Sequence, residues 1–339
     1  GDEILAIRGD KDDPFSKGHI CPKAVALQDL HNDPDRLRHP VKRTADGWVP
    51  ISWDDALDET ARRLHNIQEV HGKDSVALYF GNPTAHNHGA LFTLLPFVKA
   101  LRSRQRYSAT SADQLPHMLA TWQLFGHQVL FPIPDVDRTD YFLIIGGNPL
   151  ASNGSIMTVP DVKGRLKAIQ KRGGKVVVID PRRTETAKMA DEHHFVRPGT
   201  DVYLLLAIAQ VLFEELLVAP GRLDDILDGK KDMARLVANW KPEKVADTVG
   251  LPADAIRKLA RDIAAAPRAA IYSRVGVTTS AHSTLSAWLV YVINILTGNL
   301  DREGGVMFTK PAFDIVALGA LSGDTGSFDR YRSRVHGYP

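Results

Sequence analysis

The sequence predicts an α/β fold: a doubly wound, mostly parallel sheet with helices on both faces. Several runs of strand length are continuously apolar rather than alternating, which is typical of strands covered on both faces. These runs alternate with segments of helical length, and right-handed crossovers then place helices on both sides of the sheet. Polar turns that contain glycine follow several of the runs, as in loops that lead from a strand to a helix.

Composition limits the classes of function. The chain has 339 residues, with 42 Lys and Arg against 40 Asp and Glu, so its formal net charge is only +2. This length predicts about two domains, and the near-neutral charge argues against a nucleic-acid partner. The longest apolar stretch, residues 202–213, is too short to span a bilayer. The single cysteine, Cys21, excludes an internal disulfide.

The first part of the chain changes character near residue 51. Residues 1–50 are rich in turn signals, and we expect them to be irregular. Ser52 is a good N-cap, since acidic residues follow it and apolar residues then recur at helical spacing. The next predicted elements are a buried strand at 75–80 and helices at 88–101 and 114–125.

The middle of the chain shows the α/β alternation most clearly. Predicted strands occupy residues 140–145, 175–179, 194–196 and 269–272. Predicted helices occupy residues 162–172, 202–214 and 251–265. A ligand is expected beyond the carboxyl ends of these strands, near the point where the strand order reverses.

Three predicted strand ends carry polar loops, at residues 146–149, 180–184 and 198–201. Glycines there let the backbone approach a ligand closely, and amides at a helix start suit phosphate oxygens. Asp180 can accept hydrogen bonds from a ribose or a base edge, and Arg182 can neutralise a pyrophosphate. Ordinary turns would look similar, but three such loops on successive strands favour a nucleotide site. The first loop lacks the Gly-x-Gly-x-x-Gly spacing, so a standard nicotinamide fingerprint is not supported.

Cysteine and histidine residues suggest no complete metal site within the sequence. A lone cysteine such as Cys21 is usually an inert core residue, although a Cys-Pro pair can also end an iron–sulfur ligand set. Four histidines have spacings that fit no zinc pattern, and we expect them to be ordinary surface or core residues: His117, His127, His193 and His194.

Several short motifs follow one another along the chain in a recognisable order. Residues 14–23, 35–40 and 48–54 resemble the start of molybdopterin oxidoreductases of the dimethyl sulfoxide reductase and formate dehydrogenase type. The resemblance continues through residues 147–149, 179–182, 197–201 and 296–300. It covers essentially the whole chain, and the ordered set is specific although each motif alone is weak.

The resemblance implies molybdopterin guanine dinucleotide with molybdenum or tungsten, and a [4Fe–4S] cluster in the full-length protein. It implies that Cys21 is the last of four cluster cysteines and that Lys23 relays electrons between cluster and pterin. Loop residues would hold one guanylyl pterin: Gly147, Asn148, Pro149, Asp180, Arg182, Gly199 and Asp201. A later stretch would lie near the pterin and the metal: Gly276, Thr297 and Asn299.

A protein ligand to the metal is implied within residues 107–117. Asp113 is the candidate, with Ser108 and Ser111 as rivals. Asp113 would equally suit the N-cap of the helix predicted at 114–125.

The resemblance also implies that the chain is a piece of a longer protein. The other cluster cysteines would precede Gly1, and further domains would follow Pro339. The implied parts are a remnant of an iron–sulfur domain at 1–48, the first part of a second α/β domain at 49–108, the dinucleotide-binding domain at 109–305 and a truncated return segment at 306–339. We therefore expect catalysis to belong to the parent protein.

The function that the resemblance implies is two-electron redox chemistry, usually with transfer of an oxygen atom, on a small-molecule substrate. Electron-transfer subunits are the candidate partners. Two alternatives stay open: a non-catalytic relative such as the large iron–sulfur subunit of respiratory complex I, and an unrelated nucleotide-binding α/β domain. The pterin-facing loops argue against the first alternative, and cysteines ahead of Gly1 would argue against the second.

Overall fold

The computed structural model describes residues 3–81, 83–84, 87–157, 159–311, 314–321, 323 and 325–328. The chain divides into two compact units, Gly1–Ser111 and Ala112–Pro339. Part of the segment predicted at 306–339, including residues 329–339, lies outside the described residues.

The first unit begins with two short helices and a β-hairpin. These elements are α1 (Pro22–Val25), α2 (Leu27–Asn32), β1 (Val41–Thr44) and β2 (Gly47–Pro50). The two strands pair antiparallel, so the prediction of an irregular segment at 1–50 is wrong for the hairpin. Most side chains of both strands are exposed, and for that reason no apolar alternation marks these strands in the sequence.

A long helix and a two-stranded parallel sheet follow: α3 (Trp53–His71), β3 (Leu78–Phe80), α4 (His88–Leu101) and β4 (Arg106–Ser108). Ser52 caps α3 as predicted, because its hydroxyl accepts a hydrogen bond from the Asp55 backbone N–H at 3.0 Å. The strand predicted at 75–80 is shorter, since a 3₁₀ turn occupies Lys73–Ser75. The prediction that it is buried is wrong for Tyr79, which is 72% exposed on the two-stranded sheet.

From Thr110 onward the chain alternates between helices and strands. In order, these are α5 (Thr110–Asp113), α6 (Leu115–Phe125), β5 (Ile133–Pro134), β6 (Tyr141–Ile145), α7 (Pro149–Ser152), α8 (Val162–Lys171), β7 (Lys175–Ile179), α9 (Glu185–Met189), β8 (Glu192–His194), α10 (Asp201–Glu214), α11 (Lys230–Val237), α12 (Pro242–Val249), α13 (Ala253–Ala265), β9 (Ala269–Ser273), α14 (Val275–Thr278), α15 (Ser283–Leu296), β10 (Val306–Met307) and α16 (Ile315–Leu321). Strands β5 and β10 form an antiparallel pair.

The centre of the second unit is a four-stranded parallel sheet in the order β8-β7-β6-β9. Strands β6, β7 and β9 confirm the strands predicted at 140–145, 175–179 and 269–272. The third strand was predicted at 194–196, but β8 spans Glu192–His194. The apolar pair that suggested the later position belongs to the following loop, where Phe195 is exposed and Val196 is buried.

Helices cover both faces of this sheet, as predicted. Side chains such as Leu143 and Ile145 pack against α10, α12, α13 and α15 on one face. Phe142 and Ile144 pack on the other face, together with residues of α8. Helix α15 was not predicted, because its apolar residues surround the helix and leave little 3.6-residue periodicity. Within the described residues, no helix is long and apolar enough to cross a membrane.

Two asparagines occupy the outer edge of β9. Asn294, which is fully buried on α15, accepts a hydrogen bond from the Ile271 N–H at 3.1 Å through Oδ1. Its Nδ2 donates to the carbonyls of Ile271 at 3.0 Å and Val290 at 2.9 Å. Asn299 Oδ1 accepts from the Ala269 N–H at 3.0 Å. The side-chain amides therefore pair with edge-strand groups that would otherwise be buried without partners.

Candidate cofactor-binding site

An open cleft lies at the carboxyl edge of the parallel sheet. Strand β6 lies between β7 and β9 in the order β8-β7-β6-β9: the chain adds β7 and β8 on one side of β6 and then returns to its other side with β9. This is the switch point at which doubly wound sheets bind ligands. The cleft has a volume of about 370 Å³ and is lined by Gly146, Gly147, Asn148, Ala151, Ser152, Ser155, Asp180, Arg182, Thr184, Arg274, Val275 and Gly276.

Two glycines form the floor of the cleft where the loops after β6 and β9 meet. The Gly276 N–H donates to the Gly146 carbonyl at 2.9 Å. A Cβ atom on Gly276 would lie 2.7 Å from the Gly146 Cα, and one on Gly146 would lie 2.8 Å from the Val277 nitrogen. Gly146 also has a φ of +58°, which L side chains rarely adopt. Only glycine allows the two loops to approach this closely.

Asn148 joins the loop after β6 to the start of α9. Its Oδ1 accepts from the Thr186 hydroxyl at 2.7 Å and the Thr186 N–H at 3.2 Å, while Nδ2 donates to Glu185 Oε2 at 2.7 Å. The last contact holds the pKa of Glu185 below its ordinary value. Pro149 is buried as the first residue of α7. Asn148, which the resemblance places in a loop that holds the pterin, thus uses its side chain to shape the wall of the cleft.

Asp180 and Arg182 follow β7 at the next wall of the cleft. One carboxylate oxygen of Asp180 accepts from the Arg182 backbone N–H at 2.8 Å. The Arg182 guanidinium is largely exposed and lies 3.8 Å from Glu185 Oε2. Arg182 can therefore reorient toward an anionic ligand at little cost, because exposed ion pairs contribute little to stability.

The loop after β8 brings Gly199 and Asp201 to the start of α10. Gly199 is exposed and has a φ of +78°. Asp201 is only 5% exposed, and this burial, reinforced by the negative charge of Asp180, raises its pKa to about 6. Neither residue lines the cleft itself, although the influence of Asp180 shows that Asp201 lies near its wall.

Replacing Asp201 by asparagine should stabilise the chain at neutral pH but not at acidic pH. Folded Asp201 keeps its proton until about pH 6, whereas an unfolded aspartate releases its proton near pH 4. The wild-type chain therefore loses about 2–3 kcal/mol of stability between these pH values, and Asp201→Asn does not. Urea denaturation at pH 4, 6 and 8 measures this difference.

Asp180→Asn is the control for that prediction. Burial is the larger cause of the raised pKa of Asp201, so Asp180→Asn should leave most of the pH dependence in place. A difference between wild type and Asp201→Asn that is equal at all three pH values would contradict the prediction.

Arg274 lines the cleft but was not singled out in the sequence. It follows β9 directly, and its Nη1 donates to Gln114 Oε1 at 3.0 Å. Its position after the last apolar strand, two residues before Gly276, was the available signal. The rule that ligands bind at carboxyl strand ends applies to β9 as it does to β6 and β7.

Asp113 lies beside the same loop. It is the last residue of α5, and its carbonyl accepts from the Thr278 hydroxyl at 2.9 Å. The alternative that Asp113 caps the following helix is wrong, because Gln114 precedes α6 and no side chain caps that helix. The rivals Ser108 and Ser111 belong to the first unit, where the Ser108 hydroxyl accepts from the Thr110 N–H at 3.2 Å.

Pro149 and four other predicted residues also lie outside the cleft lining. Cys21 and Lys23 belong to the first unit, where Cys21 is half-buried just before α1 and Lys23 is exposed. Thr297 and Asn299 follow α15, and Asn299 bonds to Ala269 at the amino end of β9, whereas the cleft lies at the carboxyl end. Asn299 Nδ2 donates to the Thr297 hydroxyl at 2.9 Å. Asn299, supported by Thr297, therefore holds the edge of β9 in this structure.

The histidines do not form a metal site in the described part of the chain, where no group of three His, Cys, Asp or Glu side chains could hold an ion. His193 lies beside the site, with Nε2 3.0 Å from the Asp180 carbonyl oxygen. His117 is buried in the core and pairs with Tyr291.

Comparison with known proteins agrees with the geometry. The molybdopterin oxidoreductase family model matches residues 36–331. The chain is 30% identical over 315 residues to the thiosulfate reductase molybdopterin-containing subunit of Salmonella typhimurium, covering 91% of this chain and 40% of that protein. It is 29% identical over 295 residues to formate dehydrogenase H of Escherichia coli, covering 85% and 40% of the two chains.

A solved structure shows the same fold. Acetylene hydratase from Pelobacter acetylenicus aligns with a TM-score of 0.76 and 25% sequence identity, over 96% of this chain and 44% of that one. The chain therefore spans about two fifths of the length of the relatives it matches. Because the family model extends over most of the sequence, the chain belongs to the molybdopterin oxidoreductase family.

Proposed function

We propose that the parent protein is a molybdenum- or tungsten-dependent oxidoreductase that carries molybdopterin guanine dinucleotide and catalyses two-electron redox or oxygen-atom transfer. In this proposal the second unit holds one guanylyl pterin, and a [4Fe–4S] cluster relays electrons. The observation that carries the proposal is the cleft at the switch point of a doubly wound sheet, in a chain of this family.

The residues of the cleft fit a dinucleotide. The close crossing of Gly146 and Gly276 leaves the floor without side chains, so a flat or extended ligand can lie against backbone atoms. Gly147 is next to this crossing, Asp180 offers carboxylate oxygens to a ribose or guanine, and Arg182 offers a guanidinium to phosphate. A dinucleotide with a pyrophosphate and a hydrogen-bonding base requires these groups.

Other residues have supporting roles in the proposal. Asn148 and Pro149 hold the wall of the cleft in place. Gly199 and Asp201 lie near this wall, at the start of α10. Asp113 is the proposed protein ligand to the metal, with Ser108 and Ser111 as rivals.

The bound group supplies the metal-centred redox chemistry, while the protein binds and orients it and limits access to it. Cys21 is proposed as a cluster ligand and Lys23 as a relay residue. A small-molecule redox substrate and electron-transfer subunits are the proposed partners of the parent protein.

The full-length protein provides the direct test. Purified protein should contain molybdenum or tungsten, and acid hydrolysis should release guanosine monophosphate from it. Arg182→Ala should lower the content of both by about tenfold, because a charge-assisted hydrogen bond to phosphate contributes about 1.5–3 kcal/mol. Elemental analysis and nucleotide chromatography measure the two quantities.

Arg235→Ala is the matched control, because Arg235 is also exposed and also pairs with a carboxylate three residues away, Asp232. It should leave the metal and nucleotide content unchanged. Active protein that contains neither metal nor guanine nucleotide would overturn the proposal. Inactive protein that contains an iron–sulfur cluster but neither molybdenum, tungsten nor guanine nucleotide would favour a non-catalytic relative.

A further inference from the structure

A small, largely enclosed chamber lies beside the cleft and shares one residue with it. The chamber has a volume of about 20 Å³, against the roughly 10–15 Å³ that one water molecule needs by the same measure. Its lining includes His117, Ser273, Arg274 and Tyr291. Arg274 lines the cleft as well, so this residue borders both spaces.

Two buried polar atoms in the chamber wall, Ser273 Oγ and Arg274 Nε, lack hydrogen-bond partners of normal geometry among the described residues. His117 Nε2 has no hydrogen bond of normal geometry there either, although the His117 ring interacts with the Ser273 backbone. His117 is 4% exposed and Ser273 is buried as well. Buried polar groups are rarely left unpaired, since each costs about 1–3 kcal/mol. A space of this size, with unpaired polar atoms in the residues of its wall, is suited to one water molecule.

The histidine of the chamber is uncharged. Burial, together with the positive charge of Arg274, lowers the pKa of His117 to about 3. Its Nδ1 lies 2.9 Å from the Tyr291 hydroxyl, and burial keeps the pKa of Tyr291 above its ordinary value. Arg274 is therefore the single charge in this group of four side chains.

Arg274 also has no opposite charge. Within the part of the chain that the structure describes, no carboxylate lies within salt-bridge distance of its guanidinium, which bonds only to the neutral Gln114. A half-buried cation without a counterion destabilises a fold. Such a cation is typical of a site whose counterion arrives with a ligand.

We propose that Arg274 binds a phosphate group of the dinucleotide, and that Gln114 and one water molecule in the chamber hold its guanidinium in place. This inference rests on the proposed function, because it assigns a phosphate contact to the same cleft. Nη1 donates a hydrogen bond to Gln114, and Nε would donate to the water molecule. The remaining nitrogen, Nη2, is then available to donate to the phosphate. A fixed arginine binds phosphate with less loss of side-chain entropy than a mobile one.

Binding of guanosine diphosphate to the chain, followed by calorimetry, tests the proposal. Arg274→Gln should weaken binding by at least tenfold, Arg274→Lys should restore part of the loss, and Gln114→Leu should weaken binding by a smaller factor. Guanosine, which has no phosphate, should bind equally to wild type and Arg274→Gln. Arg274→Gln should also bind inorganic pyrophosphate more weakly than wild type does, as it binds guanosine diphosphate.

Thermal denaturation separates this role from a structural one. Arg274→Gln should keep or raise the melting temperature, because it removes an unpaired charge. Arg172→Gln is the matched control: Arg172 Nη2 donates to the carbonyls of Val136 and Thr139, away from the cleft. This variant should lower the melting temperature and keep the affinity for guanosine diphosphate.

Two results would overturn the inference in distinguishable ways. If Arg274→Gln binds guanosine diphosphate as wild type does while Arg182→Ala does not, the assignment of Arg274 fails and the proposed function stands. If the wild-type chain binds neither guanosine diphosphate nor pyrophosphate, the nucleotide cleft and the inference fail together. A crystal structure that shows the chamber empty of water would contradict the positioning role.

Discussion

Replacing Asn294 by leucine should lower the free energy of unfolding of the second unit by about 4 kcal/mol. The substitution keeps a similar side-chain volume but removes three buried hydrogen bonds. The N–H and the carbonyl of Ile271 then lose their partners inside the protein. Each such group costs about 1–3 kcal/mol, and together they account for most of the loss. Urea denaturation followed by tryptophan fluorescence measures the effect.

Gln210→Leu is the control for this substitution. Gln210 is also a buried amide, on α10, but its Oε1 has no hydrogen-bond partner of normal geometry among the described residues. Among these residues, its side chain donates only to the partly exposed carboxylate of Glu214, and not to the edge of a strand. Its replacement should change the free energy of unfolding by less than about 1 kcal/mol. Equal losses in the two variants would mean that buried amides as a class, and not the pairing with β9, explain the result.

Gly146→Ala should lower the free energy of unfolding by about 3 kcal/mol and reduce cofactor binding as well. The positive φ of Gly146 costs an alanine about 1–2 kcal/mol. Its Cβ would also lie 2.8 Å from the Val277 nitrogen and 2.9 Å from the Gly276 Cα, and such overpacking costs about 1–3 kcal/mol more. The loops after β6 and β9 must then separate, which opens the floor of the cleft. Denaturation and guanosine diphosphate binding measure the two effects.

Gly173→Ala separates backbone strain from the close approach of the two loops. Gly173 has a φ of +85°, but a Cβ atom there would contact nothing within 4 Å. The free energy of unfolding of this variant should fall only by the cost of the positive φ, about 1–2 kcal/mol, and the variant should bind ligand as wild type does. If Gly146→Ala were no worse than Gly173→Ala, the crossing would not determine the geometry of the cleft.

The sequence was sufficient to predict the sheet, because its strands are buried on both faces and so appear as uninterrupted apolar runs. It also indicated the positions of Gly147, Asp180 and Arg182, since a ligand site at a switch point requires glycine and charged residues directly after the strands. Gly276 was indicated only by the family resemblance. Strand order and register were less accessible, because they depend on pairings between distant residues. The third strand, for example, was predicted two residues too late, because the apolar pair at residues 195–196 follows β8 instead of belonging to it.

The roles of single polar residues were hardest to predict. Asn148 and Asn299 both lie in motifs that the family resemblance assigned to the cofactor, but the structure shows their side chains bonded within the protein. Arg274 was missed although it directly follows an apolar strand, because that position alone does not separate a ligand-binding arginine from an ordinary turn residue. Only the three-dimensional structure shows that Arg274 borders both a cleft and a chamber and that its guanidinium bonds to Gln114 rather than to a carboxylate among the described residues.

The asparagines at the edge of β9 also affect how the protein meets other chains. An open strand edge is a template onto which a strand from another molecule can add, and such additions lead to aggregates. Here Asn294 and Asn299 already occupy the hydrogen-bonding positions of Ile271 and Ala269. An incoming strand would have to displace both amides from a buried position. The same two side chains that stabilise the sheet therefore also prevent intermolecular pairing along this edge.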